Sequence, residues 1–431
     1  MAKAHRPPTH VIDMTPRLTA SALAASALPD FEIERREELA RYLLDPATEE
    51  ESPEAIESLA TADAVIGAQA AVPTIKFPSG YVPQPQLKSP MQASGKLKSA
   101  DVLVVTWTVA EQNALADVLT PGYGRRTQSS KKAWHNYDRN FSKYLDLIRK
   151  GAPSRRVKRL GSCMQSSVAG KTVLCFKSEL HLARDVIRNK TDPTAPTLPV
   201  RKMWDQLMDE VQPEVVITTG TSGGVFPDYP LGGVAVTRAA QFHCQAAFKQ
   251  APYNNKKYYN DWNVPTKYFP KAQQLMKSLA NKLVEPPLLP PSPGFDPENV
   301  TIQPPKNVPN IYLEGKKWQG GPKALKEHHP ILTTDYFEFG TTTNHLEKLG
   351  CAVEMGDAVL GLACSERKDA PSWLVIRNFS DPCINGALQG KGQFPNMQTH
   401  WAVWYYQTYG YWTSMMSALA TWGVIAGLAD K

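Results

Sequence analysis

Short, nearly continuous apolar runs punctuate this chain: Val102–Thr106 (VLVVT), Thr172–Phe176 (TVLCF), Val215–Thr219 (VVITT) and Trp373–Arg377 (WLVIR). Runs of this length without polar alternation are the mark of strands covered on both faces. Between them lie segments with helical spacing. Pro199–Val211 puts apolar side chains at Val200, Met203, Trp204, Leu207, Met208 and Val211, one face of a helix turned toward a sheet, and Pro213 ends it. Ala110–Leu119, Pro270–Leu283 and Asp357–Glu366 are read as further helices. Gly170–Lys171 marks a turn before the second strand and Gly220–Gly224 a glycine turn after the third. Strand, helix and strand in this order predict an α/β domain, with a mainly parallel sheet and helices on its faces.

Two stretches depart from this rhythm. Residues 1–99 read as an irregular N-terminal extension, with one acidic helix over Glu32–Leu44 and a linker over Val72–Ser99 rich in Pro, Gln, Ser and Gly. Residues 245–330 are dense in proline and read as a long insertion in the domain that spans 100–431. The closing segment Trp412–Leu428 is apolar, but Thr413, Ser414, Ser417, Thr421 and two glycines interrupt it, so it reads as a buried terminal helix rather than a membrane span.

Charge sharpens the picture at one place. Asp30–Glu57 holds 11 acidic and 3 basic residues, whereas Gly124–Leu160 holds 12 basic and 2 acidic, within a net charge of only +7 for 431 residues. The second stretch is read as a basic insertion. It either holds the phosphates of a nucleotide substrate, through Arg125 and Arg126, or contacts RNA, or is a solvated face or a linker to the next strand; a nucleic-acid partner is not the expected one of these. Tyr258, Tyr259 and Trp262, interleaved with Lys256 and Lys257, either stack on a base or pin a long loop. The cysteines, at 163, 175, 244, 351, 364 and 383, form no C-x-x-C pair and have no histidines at ligand spacing, which argues against a metal site and a disulfide framework. The N-terminus MAKAHRPPTH lacks the apolar stretch of a secretory signal. We expect a cytoplasmic homo-oligomer with reduced thiols, needing no cofactor.

Candidate chemistry begins with a false lead. Ala169-Gly170-Lys171-Thr172 ends like a phosphate-binding loop, but Gln165 stands where that loop needs glycine, and a strand follows where it needs a helix. Thr219–Gly224 (TGTSGG) is different: glycines let a ligand approach the backbone, and N–H groups with hydroxyls suit an anion. Taken with its surroundings it carries a resemblance. Val104–Leu115 (VVTWTVAEQNAL), Pro213–Gly224 (PEVVITTGTSGG), Leu231–Thr237 (LGGVAVT), Thr334–Gly340 (TDYFEFG), and Ala352–Cys364 (AVEMGDAVLGLAC) with Val375–Asp381 (VIRNFSD) occur in this order. Together they resemble the segments of the nucleoside phosphorylase and methylthioadenosine/adenosylhomocysteine nucleosidase superfamily.

The resemblance implies a three-layer phosphorylase-type fold, with a mixed, partly closed central sheet flanked by helices. It implies hydrolysis of the N-glycosidic bond of a purine nucleoside or nucleotide. Asp381 would protonate the leaving base and Glu111 would activate water. Thr221, with Ser222 and Gly223 beside it, would hold the nucleophile, Phe337 would stack on the base, and Met355 would pack beneath the ribose. Glu354 precedes that methionine as in the family. The family's next residue is a second glutamate that grips the ribose hydroxyls; here it is Gly356, and Asp357 or Glu354 would have to reach the sugar instead. Phosphorolysis is the alternative within the fold, although no Gly-Asp-Pro-x-Arg element follows the first helix. A nucleotide-sensing or interaction protein with weakened chemistry is the alternative outside it.

Overall fold

The computed structural model describes residues 6–14, 74–87, 92–124, 134–226, 229–280, 310–315, 325–338, 344–381, 383 and 398–430. The helix expected over Glu32–Leu44, the pair Arg125 and Arg126, and residues 281–309 of the proline-rich insertion lie outside these. The described strands, in chain order, are β1 (Thr9–Asp13), β2 (Gln84–Pro85), β3 (Val102–Thr106), β4 (His135–Tyr137), β5 (Gly161–Val168), β6 (Lys171–Ser178) and β7 (Val215–Gly224). They continue with β8 (Val234–Thr237), β9 (Ala239–Phe242), β10 (Lys256–Asn260), β11 (Ile311–Leu313), β12 (Ile331–Thr333), β13 (Ala352–Glu354) and β14 (Ser372–Asp381). The main helices are α1 (Val109–Leu119), α2 (Pro199–Val211), α3 (Phe269–Ala280), α4 (Asp357–Ser365) and α5 (Gln398–Ala429).

All the strands join one mixed sheet that forks at β7. One edge of β7 is paired along its whole length with parallel β14, Ser372 to Asp381 against Val215 to Gly223. The other edge is shared. Its first half, Val215–Thr218, pairs with parallel β3, and its end, Gly223–Gly224, pairs with antiparallel β13. Between those partners the edge opens at residues 219–222. One limb of the fork continues through β6 and β5, the other through β12, β9, β10 and β1. β8 pairs with β14 and β9 with β12, and Arg238 alone separates β8 from β9. The chain thus passes from one side of the fork to the other at Arg238, while the hydrogen-bonded ladder is not closed into a barrel.

Helices cover both faces. In β3, Leu103 and Val105 join the core beneath α2 and α4, and Val102 and Val104 join the core beneath α1, α3 and α5. This is the three-layer arrangement that a doubly buried apolar strand requires. Helix α5 contains a segment, Tyr409–Ala429, long and apolar enough to cross a membrane, yet it is buried inside the fold, where two of its hydroxyls find partners on the sheet: Thr421 bonds Thr219 Oγ1 at 3.0 Å and Ser417 accepts from Asn378 at 2.9 Å. The Ala169–Gly170 turn, with both residues at positive φ, closes a hairpin between β5 and β6 rather than a phosphate loop. Two segments of residues 1–99 add strands to the sheet, β1 on β10 and β2 on β5.

Candidate active site

The opening in the edge of β7 is filled by one carboxylate. Helix α1 starts with a capping box: the Thr108 side chain accepts from the Glu111 N–H, and Glu111 reaches back to the Thr108 N–H. Glu111 does more than cap. Its Oε2 accepts from Thr106 Oγ1 at 2.7 Å and from the N–H groups of Trp107 and Thr108 at 2.9 Å each. Its Oε1 accepts from the Thr221 N–H and hydroxyl, both at 2.7 Å. A backbone donor that found no strand partner in the fork has found Glu111. Gly220 permits this approach, because a Cβ there would collide with the Glu111 carboxylate and crowd Arg377. Burial opposes the charge of Glu111, but Arg377 and these N–H donors outweigh it and hold its pKa below the ordinary value.

Arg377, from β14, organises the other acids. Its guanidinium makes a bidentate pair with Asp357 at 2.6 and 2.8 Å, reaches Glu354 at 3.3 Å, and lies 3.8 Å from Glu111. Its charge is thus held by three buried carboxyls. Glu354 also accepts from the Asp357 N–H at 2.8 Å and from the Thr333 hydroxyl. Burial and the nearby Asp357 carboxylate raise the Glu354 pKa, with Arg377 opposing them. Asp381 ends the same strand in a different setting. Its Oδ1 lies 3.0 Å from Ser380 Oγ, and its Oδ2 is buried with no hydrogen-bond partner among the described residues. Burial pushes its pKa up to about 7, so it keeps its proton into the neutral range.

These groups converge on one cavity. Glu111, Thr221, Ser222 and Gly223 line it from the fork, Glu354 from the end of β13 and Met355 just after it, Phe337 from the segment after β12, and Asp381 from the end of β14. Asp357, wholly buried under Arg377, is not on its wall, so it reaches no ligand there. Residues outside the sequence expectation also line it, among them Arg377, Trp107, His181, Glu338 and Tyr406, whose hydroxyl bonds Thr108 Oγ1 at 2.6 Å. Arg377 carried a signal, since a charged residue closing the run WLVIR must find partners. Trp107, His181 and Tyr406 carried none. The indole of Trp107 covers the Arg377 guanidinium at 5.1 Å and abuts Gly356, where an added Cβ would sit 3.1 Å from its Cζ2. The position at which the family resemblance puts a sugar-gripping glutamate is therefore walled by an indole.

The basic insertion does not reach this cavity with any described residue. Arg155 bonds the carbonyls of Ile148 and Leu145, Arg149 that of Arg184, and Arg159 pairs with Glu179 at 2.7 Å. Of the aromatics interleaved with Lys256 and Lys257, Tyr258 and Trp262 are buried in the fold and Tyr259 stacks on His10.

No family model matches the chain, and no curated protein matches it. Among solved structures it is similar to the 5′-methylthioadenosine/S-adenosylhomocysteine nucleosidase of Neisseria meningitidis in complex with methylthio-immucillin-A, at 13% identity and a TM-score of 0.39, over 77% of this chain and 99% of that one. It is similar to the corresponding nucleosidase of Colwellia psychrerythraea in complex with adenine, at 14% identity and a TM-score of 0.37, over 75% and 97% of the two chains. It is also similar to the futalosine hydrolase of Helicobacter pylori, at 9% identity and a TM-score of 0.38, over 75% and 96%.

Proposed function

We propose that this chain belongs to the nucleoside phosphorylase and methylthioadenosine/adenosylhomocysteine nucleosidase superfamily and hydrolyses the N-glycosidic bond of a purine nucleoside. The observation that carries this reading is one cavity whose buried carboxyls are pushed in opposite directions, Asp381 up to about 7 and Glu111 below its ordinary value, while Glu354, also raised, is engaged by Arg377 and Thr333 and so is not free to donate. Environments that push paired acids apart assign an acid and an anion.

Cleavage of a ribose–base bond builds positive charge on the sugar, as in other glycoside cleavage. Protonated Asp381 gives its proton to the departing base through its unpartnered Oδ2. The Glu111 carboxylate faces the developing cation and stabilises it. A water held beside Thr221 then attacks the anomeric carbon and loses its proton to Glu111 Oε1. Glu111 already accepts from five donors. The exchangeable one is the Thr221 hydroxyl, which can rotate away, whereas three of the others are backbone N–H groups. Phe337 packs on the base and Met355 beneath the sugar in this reading.

Charge favours water over phosphate. The described wall holds the carboxyls of Glu111, Glu338, Glu354 and Asp381 and the single guanidinium of Arg377, itself engaged by Asp357 and Glu354. A phosphate dianion finds no uncommitted cation there. The saturated Glu111 favours a second reading, a protein that binds a nucleoside and does not turn it over. Both are tested by incubating the protein with a nucleoside panel in phosphate-free buffer. Release of free base is the expected result. Base release that requires phosphate and yields sugar 1-phosphate would make the chain a phosphorylase, and binding without release would make it a sensor.

A further inference from the structure

Of the buried side-chain polar atoms without a partner among the described residues, three belong to the cavity wall: Asp381 Oδ2, Trp107 Nε1 and His181 Nε2. The proposed reaction uses only the first. Unpaired buried donors and acceptors are costly, and those that line a cavity are matched by what the cavity takes.

Trp107 and His181 follow the carboxyl ends of adjacent parallel strands, β3 and β6, where Thr106 is in register with Lys177. They stand on the limb of the fork away from β12 and β13. Both are fixed. The Trp107 ring meets Trp204 edge-on at 6.3 Å and lies on Arg377, and its backbone N–H is tied to Glu111. The His181 backbone N–H donates to Asp185 at 2.6 Å, and its side chain belongs to a residue only 4% exposed. Burial, reinforced by Lys177, lowers the His181 pKa to about 3, so the ring is neutral. The cation behind this wall is committed, with Lys177 bonded to Glu179 at 2.6 Å.

We propose that this wall is a binding subsite for an uncharged, oxygen-bearing group of the substrate, one sugar hydroxyl or two neighbouring ones, held by Trp107 Nε1 and His181 Nε2. The proposal rests on the nucleosidase reading and names the part of the substrate that reading leaves open. Chemistry selects the group. An indole N–H only donates, so its partner must accept; a neutral imidazole nitrogen donates or accepts according to its tautomer. A hydroxyl does both. A thioether accepts weakly, and a phosphate would place further negative charge beside Glu111.

The test is equilibrium binding to the Asp381→Asn protein, which keeps this wall but lacks the acid. Adenosine, guanosine and inosine are compared with their 2′-, 3′- and 5′-deoxy analogues. One deoxy position is expected to weaken binding at least tenfold. Trp107→Phe, which keeps the ring, or His181→Phe should then lower the parent nucleoside to the level of that analogue and leave the analogue unchanged. His181→Gln, which restores a hydrogen-bonding group, should recover part of the difference. Equal binding of all analogues, or weakening of parent and analogues alike by both substitutions, overturns the subsite and leaves the nucleosidase reading standing. Absence of binding by every nucleoside overturns both.

Discussion

Asp381 and Glu111 are both buried carboxyls, and their neighbours alone set them apart. Asp381 has a single hydroxyl beside it, and Glu111 has five donors and a nearby guanidinium. Activity should therefore be level through the mildly acid range and fall above about pH 7, by roughly tenfold per unit, as Asp381 loses its proton. Glu111, with its lowered pKa, brings no loss until well into the acid range. Asp381→Asn should cut turnover at least on the order of 10²-fold, and an alkaline limb that persists in that variant would remove Asp381 from the mechanism. The stability consequence runs in the same direction with pH. The folded pKa lies above the unfolded one, so the favourable contribution is fully present below the unfolded value and is lost as pH rises through about 7. Asp381→Asn should be more stable than the wild type at alkaline pH, by up to about 4 kcal/mol for a pKa lifted from 3.8 to about 7, with the gap in melting temperature closing on acidification. A second residue-scale expectation concerns Gly356. A glutamate there meets the Trp107 indole, so Gly356→Glu should destabilise by about 1–3 kcal/mol, and Trp107→Ala in the same chain should relieve part of that cost. Additive effects in a double-mutant cycle by thermal melting would show that the two positions do not share the space.

At the scale of elements, the site exists because β7 changes partners between β3 and β13, and α1 delivers a carboxylate into the opening. Gly220 is the hinge point of this arrangement. Gly220→Ala should push the Glu111 carboxylate off the Thr221 N–H, lowering turnover together with the melting temperature; wild-type turnover in a folded Gly220→Ala protein would mean that the Glu111–Thr221 contact is dispensable. What could be read from the sequence follows the same logic. VLVVT and WLVIR announced themselves because burial on both faces leaves no room for alternation, and α2 because its apolar stripe has to meet the sheet. β5 (GSCMQSSV) went unread, since its polar side chains are paired across space, Ser162 with Gln112 and Ser166 with the Leu119 carbonyl. Gly220–Gly224 was read as a turn, yet it is the continuation of β7, held extended by β14, more than a hundred residues away in the chain. Arg377 and Asp357 show the same limit within the site. Both sit in motifs that were legible, but that one would sequester the other beneath the cavity was a fact of packing.

For the molecule as a whole, the distribution of charge decides which substrates fit. The concentration of basic residues in 124–160 invites the idea of a phosphate-binding arm. In its described part three of those cations are spent on the fold itself, Arg155 and Arg149 on carbonyls and Arg159 on Glu179. None of them lines the cavity, whose described wall carries four carboxyls against one guanidinium. Even with Asp381 protonated and the Glu354 pKa raised, the one guanidinium on the described wall is engaged by Asp357 and Glu354, so an added phosphate finds no uncommitted cation, and its dianion would lie near Glu111. Charge-assisted contacts to phosphate contribute about 1.5–3 kcal/mol each where they exist, and here they are replaced by repulsion. The expected outcome is that nucleosides are used at least tenfold better, in kcat/KM, than their 5′-monophosphates. The preference should shrink as ionic strength rises, because salt screens the repulsion at the cavity mouth over about 8–10 Å. Steady-state rates on matched nucleoside and nucleotide pairs, at low and high salt, decide the matter. A preference for nucleotides that disappears in an Arg125→Ala, Arg126→Ala double variant would bring the basic stretch into the site and overturn this account of the cavity.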